Sequence, residues 1–180
     1  MILQIGQLHT LTEVSLDFGV QECDFPREIG ILTAPIHLDA QVRKVGEEIA
    51  ITGQVSSCVQ MSCARCLKPH QEEIHDSFDV IYLPTPEKTH PLEEIELNET
   101  DMNVIYYTGE ELNLTELARE QVLLLLPVKP LCKADCAGLC PSCGKDLNEG
   151  PCSCSHESVD ARFAVLKNLL STETSENASG

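Results

Sequence analysis

The chain has 180 residues, enough for one ordinary domain with a core or for a domain plus a small metal-stabilised appendage, and we expect the second arrangement. Its hydrophobic content of 42% and mean hydropathy of −0.08 are typical of soluble globular proteins. The net charge of −17 disfavours non-specific nucleic-acid binding, because an acidic surface repels phosphate, and favours a basic protein partner. The longest apolar run, residues 122–126, is too short to cross a membrane, and residues 1–7 carry no readable secretory signal. We therefore expect a cytoplasmic protein.

The first part of the chain has the alternating apolar and polar pattern of half-buried antiparallel strands. The predicted strands are residues 14–18, 36–40, 49–55, 59–63 and 74–83. Residues 63–70 lie between the last two of them. This segment, which contains a cysteine pair, is therefore predicted to be the tip of a hairpin.

An acidic segment follows the strands. Residues 84–100 contain three prolines together with Glu, Asn and Thr, a composition that predicts an exposed loop. Residues 87–120 carry ten acidic residues against two basic ones, so much of the net charge is concentrated here. Such a segment can contact a basic partner or can simply increase solubility.

One amphipathic helix is predicted before the cysteine-rich segment. Asn113 can cap its first turn, and Glu116 three residues later completes a capping box. Pro127 and Pro130 end the helix and hold the next residues extended. The apolar stripe that we expect to dock on the sheet consists of Leu114, Leu117, Ala118, Val122 and Leu125.

Six of the ten cysteines lie between Cys132 and Cys154. In the sequence Cys140-Pro-Ser-Cys143-Gly144, the two-residue spacer brings two thiolates to one ion, and Gly144 permits the tight turn that directs backbone N–H groups at sulfur. A reducing cytosol disfavours disulfides, so metal binding is the preferred interpretation. A structural zinc site has four ligands, and we expect Cys152 and Cys154 to complete the site of this zinc knuckle.

Two cysteine pairs are then left over, and they suggest a second zinc site. These pairs are Cys63 with Cys66 and Cys132 with Cys136. Their pairing requires the hairpin tip to meet the segment that follows the helix. The alternative is a single zinc held by four of the six late cysteines, with Cys63 and Cys66 forming a free or redox-active dithiol. Two zinc ions are expected and one is possible.

Five of the twelve basic residues flank these cysteines: Arg65, Lys68, Lys129, Lys133 and Lys145. They can offset the negative charge of a four-thiolate zinc site. They can equally form a small basic patch that contacts RNA phosphates or another partner. The residues alone leave both interpretations open.

The predicted fold class is α+β, with an antiparallel strand-rich body, a docked amphipathic helix, a C-terminal zinc-knuckle appendage and a terminal helix. The expected boundaries are residues 1–130 for the body with its acidic loop, 131–156 for the zinc segment, and 157–180 for a helix and a disordered tail. Ser158 can cap the terminal helix.

Three segments of the chain resemble the YceD family, the large ribosomal RNA subunit accumulation proteins of bacteria and plastids. The first is Val55 to Pro69, which contains Cys63-Ala-Arg-Cys66-Leu-x-Pro69. The second is Leu124 to Cys154, which runs through Leu126-Pro-Val-Lys-Pro130, Cys136-Ala-Gly-Leu-Cys140-Pro-x-Cys143-Gly144, Leu147-Asn148 and Cys152-x-Cys154. The third is Asp160-Ala-Arg162-Phe-Ala-Val-Leu166. The resemblance implies an accessory role in the accumulation or assembly of the large ribosomal subunit. It also favours the two-site pairing, because some relatives resemble this chain at the first dithiol while lacking the later knuckle.

The leading hypothesis is a non-enzymatic factor that binds a basic large-subunit ribosomal protein or a pre-ribosomal particle, with direct RNA contact possible. No nucleophile with a matching base, phosphate-binding loop or open metal site is readable, so we expect no catalysis. The alternative is a thiol–disulfide redox protein that uses Cys63 and Cys66. No helix start is readable next to this pair to lower a thiol pKa, which counts against that alternative.

Overall fold

The computed structural model describes residues 1–86 and 103–154. The chain divides into two compact units, Met1–Cys136 and a second unit that starts at Ala137. Most of the predicted acidic loop, the predicted terminal helix and the polar tail lie outside the described residues. Among the described residues, no helix has the length and apolarity that a membrane crossing requires.

The described part of the first unit is strand-rich with one α-helix, as the α+β prediction requires. In the described residues its elements are β1 (Ile2–Gln4), β2 (Leu11–Phe18), β3 (Ile31–Leu32), β4 (Ile36–Val45), β5 (Glu48–Ser62), β6 (Pro69–Pro84), β7 (Val104–Tyr107), β8 (Glu111–Asn113) and α1 (Leu114–Leu125). The described part of the main sheet has the order β2-β4-β5-β6-β7, and β3 pairs with β5 beyond the end of β4. Strands β1 and β8 form a separate antiparallel pair.

A long hairpin of β5 and β6 dominates the sheet. The two strands pair in continuous antiparallel register from Ile49 opposite Tyr82 to Ser62 opposite Pro69. The predicted strands 49–55 and 59–63 are therefore one strand, and the predicted hairpin tip is confirmed. A two-residue turn joins β4 to β5, and Gly46 in this turn has a φ of 64°, which suits glycine.

One strand pairing departs from the expected antiparallel arrangement. Strand β7 runs parallel to β6 and pairs only with its end, from Ile81 opposite Val104 to Pro84 opposite Tyr107. Parallel neighbours cannot be joined by a tight hairpin turn, so residues 85–103 must connect one end of the pair to the other. The remaining pairings of the described sheet are antiparallel.

Helix α1 packs on one face of the sheet, against β4, β5 and β6. Asn113 caps it as predicted, because its Oδ1 accepts the backbone N–H groups of Thr115 at 3.1 Å and Glu116 at 3.4 Å. The predicted stripe faces the core, and Leu114, Leu117, Ala118 and Val122 are buried. Each large apolar side chain buried in this way contributes about 1.5–3 kcal/mol. The helix therefore ends, at Leu125, in a defined position above the sheet, and the cysteine-bearing segment begins soon afterwards.

Candidate metal centres

The first cysteine pair lies in the turn between β5 and β6. The backbone N–H of Cys63 donates to the carbonyl oxygen of Lys68, and the N–H of Leu67 donates to the carbonyl oxygen of Cys63, both at 2.9 Å. Leu67, directly after Cys66, has a φ of 61°. The N–H of Arg65 lies 3.5 Å from the sulfur of Cys63. The turn therefore closes tightly around the pair and directs a backbone donor at sulfur.

The second unit repeats this turn. The N–H of Cys140 donates to the carbonyl oxygen of Lys145 at 2.8 Å, and the N–H of Gly144 donates to the carbonyl oxygen of Cys140 at 2.9 Å. The N–H of Cys143 lies 3.4 Å from the sulfur of Cys140. Gly144 has a φ of 72° and corresponds to Leu67. The sequence predicted this tight turn only at Cys140–Gly144, where a glycine follows the cysteine pair. At Cys63–Leu67 a leucine takes the same left-handed conformation, and leucine gives no such signal.

Eight cysteines form two groups of four. The first group is Cys63, Cys66, Cys132 and Cys136, and within it all four sulfurs lie within 4.8 Å of one another. The sulfurs of Cys63 and Cys136 are 3.7 Å apart, and those of Cys66 and Cys132 are 3.6 Å apart. These separations are too long for a disulfide bond of about 2.05 Å. The structure thus brings the hairpin pair together with the pair that follows the helix, and the group can hold a metal ion.

Two hydrogen bonds join the same elements beside this group. The backbone N–H of Ala64 donates to the carbonyl oxygen of Pro130 at 2.8 Å. The guanidinium Nη1 of Arg65 donates to the carbonyl oxygen of Cys136 at 2.7 Å. The hairpin tip and the post-helix segment therefore contact each other through backbone and side chain as well as through sulfur.

The second group lies entirely in the second unit and consists of Cys140, Cys143, Cys152 and Cys154, again with all sulfurs within 4.8 Å of one another. A short loop connects its first pair, Cys140 and Cys143, to its second pair, Cys152 and Cys154. The side chain of Asp146 accepts the N–H of Asn148 at 2.8 Å, and Asn148 Oδ1 in turn accepts the N–H of Ala137 at 2.9 Å. Lys145 Nζ donates to the carbonyl oxygen of Pro151 at 2.8 Å, next to Cys152.

The thiol pKa values follow from these surroundings. Hydrogen bonding from the backbone N–H of Cys132 lowers the pKa of Cys63 to about 5, and the backbone N–H of Cys143 lowers the pKa of Cys140 to about 6. Burial raises the pKa of Cys132 to about 12, and hydrogen bonding to Cys143 raises the pKa of Cys154 to about 12. Each group therefore favours a first thiolate and resists further ones, because four crowded negative charges require a compensating cation.

The five basic residues of the sequence prediction are Arg65, Lys68, Lys129, Lys133 and Lys145. Arg65 and Lys145 already donate to backbone carbonyl oxygens beside the two cysteine groups. Lys133 Nζ lies 3.9 Å from the carboxylate of Asp135. At least part of the basic set therefore supports the local structure around the cysteines, and RNA contact by these residues stays a prediction.

Comparison with known proteins assigns the chain to a family. The family described as large ribosomal RNA subunit accumulation protein YceD matches residues 51–170, which is more than half of the chain. The chain belongs to the YceD family. The matched region includes all eight cysteines of the two groups. No solved structure matches this YceD-family chain at a significant level.

Curated relatives support the assignment. The uncharacterized protein Rv2926c of Mycobacterium tuberculosis (strain ATCC 25618 / H37Rv) is 32% identical over 78% of this chain and 65% of its own length. The uncharacterized protein ML1660 of Mycobacterium leprae is 25% identical over 81% of this chain and 64% of its own length. The chloroplastic large ribosomal RNA subunit accumulation protein YCED homolog 1 of Arabidopsis thaliana is 23% identical over 75% of this chain and 48% of its own length. The chain thus spans slightly less than two thirds of the mycobacterial relatives and about half of the plant relative.

Proposed function

We propose that this YceD-family chain is a non-enzymatic, zinc-binding accessory factor that supports accumulation of large-subunit ribosomal RNA in the cytoplasm by binding a basic ribosomal protein or a pre-ribosomal particle. The observation that carries the proposal is membership of a family described by large ribosomal RNA subunit accumulation. The plant relative carries the same description in its name.

Zinc is the metal that fits the two donor sets best. Four cysteine sulfurs in tetrahedral arrangement are typical of structural zinc sites. Sulfurs at a Zn–S distance of about 2.3 Å in a tetrahedron lie about 3.8 Å apart. The sulfur separations of 3.7 and 3.6 Å in the first group are close to that value. The proposed ligands are Cys63, Cys66, Cys132 and Cys136 in one site, and Cys140, Cys143, Cys152 and Cys154 in the other.

The role of both metals is structural. With four protein ligands each, the sites leave no position for a substrate or an activated water. The first site joins the hairpin tip to the segment after α1, and the second joins Cys140 and Cys143 to Cys152 and Cys154 across a short loop. Zinc binding in small domains contributes about 10–16 kcal/mol of apparent free energy, enough to order such segments.

The charge of the chain indicates the kind of partner. A net charge of −17, with ten acidic residues between 87 and 120, attracts a basic protein over long distances at low salt. Neutralising Glu93, Glu94, Glu96 and Glu99 tests whether the acidic segment is the contact. Undiminished binding of a basic ribosomal protein at low salt would exclude that segment.

Direct RNA contact is the second possible mode for the same function. An alanine series through Arg65, Lys68, Lys129, Lys133 and Lys145 tests it by RNA binding at several salt concentrations. If these lysines and this arginine contact phosphate, each replacement weakens binding and reduces the salt dependence. Unchanged affinity and salt dependence would remove this mode.

The redox alternative requires an accessible dithiol, because thiol–disulfide exchange proceeds through attack on a partner's sulfur. Cys63 and Cys66 are only 0% and 4% exposed and lie beside a second cysteine pair. Although the backbone N–H of Cys132 lowers the pKa of Cys63 to about 5, the burial of both thiols keeps a partner's disulfide away from them, and their surroundings therefore favour metal binding over exchange.

The test of function is complementation. In a bacterium that lacks its own YceD-family gene, sucrose-gradient profiles report the ratio of large to small ribosomal subunits. We expect this chain to restore the large subunit, and a Cys140→Ser, Cys143→Ser variant to restore it less well. A control variant, Cys58→Ser, alters a cysteine outside both groups and is expected to complement fully. No restoration by the unaltered chain in a related host would contradict the proposed function.

A further inference from the structure

In the described part of the chain, the outer edge of β6 is without a partner strand over most of its length. Strand β5 covers one side of β6 over its whole length, but on the other side β7 pairs only with Ile81–Pro84. Within residues 1–86 and 103–154, no strand pairs with the outer edge between Pro69 and Val80. At about 3.4 Å per residue this edge is roughly 40 Å long. An open edge of this kind offers unpaired backbone N–H and C=O groups to another strand.

The side chains along this edge are acidic. From Pro69 to Pro84 the chain contains four carboxylates and no lysine or arginine. Glu73 and Asp79 point to the exposed face of the sheet, whereas Asp76 shares the face of buried Ile74. Glu72 is bonded to His70 at 2.9 Å. Among the described residues, no basic side chain forms an ion pair with Glu73, Asp76 or Asp79. Two copies of the edge would repel each other, because like charges would face across the strands, whereas a basic strand would be attracted.

A groove lies where the open edge meets β7. It has a volume of about 320 Å³ and runs between β6, the start of β7 and helix α1. Phe78, Ile105 and Leu124 supply apolar walls, and Asp79 and Glu120 supply negative charge. Leu124 is 77% exposed, whereas Leu114 and Leu117 of the same helix are buried. A strand added along β6 would bring its side chains to this groove.

The opposite outer strand of the described sheet, β2, is less suited to a basic partner. Of its two carboxylates, Asp17 is already bonded to His37 at 2.8 Å. Only Glu13 is left without a described basic neighbour on that edge. Charge therefore distinguishes the two edges.

We propose that the outer edge of β6, from Pro69 to Val80, binds an extended lysine- or arginine-rich polypeptide segment by strand addition. Backbone hydrogen bonds supply part of the affinity, the carboxylates of Glu73, Asp76 and Asp79 select basic side chains, and the groove beside Phe78 and Leu124 accepts an apolar one. The inference deepens the proposed function, on which it rests for the identification of the basic segment with part of a ribosomal protein.

The experiment uses the full-length, zinc-loaded protein and a synthetic peptide that alternates lysine with valine and threonine. Hydrogen exchange resolved by residue is measured with and without the peptide. At a free peptide concentration of ten times Kd, we expect hydrogen exchange to be about tenfold slower at the protected β6 amides between Pro69 and Val80. Protection should fall on alternate residues, because only every second N–H points to the outer edge. A peptide with glutamate in place of lysine should give no protection.

Variants with equal charge change localise the site. Glu73→Lys with Asp79→Lys should weaken peptide binding at least tenfold, whereas Glu13→Lys with Glu48→Lys should change it less than twofold. Thermal unfolding of both variants checks that they are folded. Binding without β6 protection, or equal weakening by both variants, would overturn the inference.

A basic large-subunit ribosomal protein separates this inference from the proposed function. If that protein binds the full chain while β6 amides stay unprotected, the strand-addition site is wrong and the proposed function stands. If β6 is protected by the lysine peptide but complementation fails, the binding site stands and the ribosomal role is wrong.

Discussion

Removal of the hairpin cysteines gives the sharpest test of the first metal site. In a Cys63→Ser, Cys66→Ser variant we expect the zinc-to-protein ratio to fall from two to one. We also expect residues 127–136 to detach from the hairpin tip while the sheet stays folded. The prediction follows because zinc is proposed to supply most of the free energy that orders this segment.

The magnitude can be worked from the structure. Besides the cysteine sulfurs, two hydrogen bonds of the described residues join the segment to the tip, from Ala64 to Pro130 and from Arg65 to Cys136. Together they contribute about 1–3 kcal/mol. Ordering the backbone of residues 127–136 costs about 10–20 kcal/mol in conformational entropy. Zinc binding, at about 10–16 kcal/mol, makes up the difference.

The assay combines elemental analysis with hydrogen exchange. Peptides from residues 127–136 should exchange at once in the variant, while peptides from β5 keep their protection. Cys58→Ser is the matched control, because it alters a cysteine on β5 that lies outside both groups, and this variant should keep two zinc ions. If the variant has a zinc-to-protein ratio of one but residues 127–136 stay protected from exchange, the energetic reasoning is refuted. A wild-type ratio of one, unchanged in the variant, would confine metal to the later cysteines and revive the redox alternative.

Three further predictions concern the fold that supports the sites. Asn113→Ala should lower the free energy of unfolding by about 1 kcal/mol in urea denaturation, because it removes the cap of α1, whereas Asn113→Asp should be near neutral. Gly53→Ala should lower the free energy of unfolding by about 1–3 kcal/mol, because the new Cβ would clash with the backbone carbonyl oxygen of Asp39. A decrease of less than about 0.5 kcal/mol would contradict this close packing. His37 should titrate in an NMR experiment above its ordinary pKa of about 6.5, because hydrogen bonds to Asp17 and then to Asp39 raise its pKa, and Asp17→Asn should bring it down. The resulting stabilisation is present below the unfolded-state pKa, is lost as pH rises through the raised pKa, and should stay below about 1 kcal/mol because the groups are exposed.

Local patterns accounted for much of the fold. Alternation with a period of two located the main strands, and the Asn113 cap with its leucine stripe located α1, because both signals depend only on neighbouring residues. The pattern split β5 into two because Ser56, Ser57 and Cys58 interrupt the alternation. Pairing with β6 continues through them, so the partner strand decided the outcome.

The sequence pattern did not predict the strand pairings that are short or that join distant parts of the chain. Strands β1 and β8, of three residues each, pair across more than one hundred residues, and three residues carry too little periodicity to be recognised. The parallel docking of β7 on β6 is likewise a property of the completed sheet. The left-handed conformation of Leu67 was hidden because leucine rarely adopts it, although Gly144 marks the same turn in the second unit.

The amino-acid sequence by itself determined that the chain holds closely spaced cysteine pairs on both sides of one helix, because a spacer of one to three residues is a local property. It left open which pairs come together in space. The tertiary structure decided the grouping, since the long β5–β6 hairpin carries Cys63 and Cys66 to the end of α1, where Cys132 and Cys136 follow. Sulfurs more than sixty residues apart meet only when a packed sheet and helix hold both chain segments in place, and spacing along the chain contains no information about that distance.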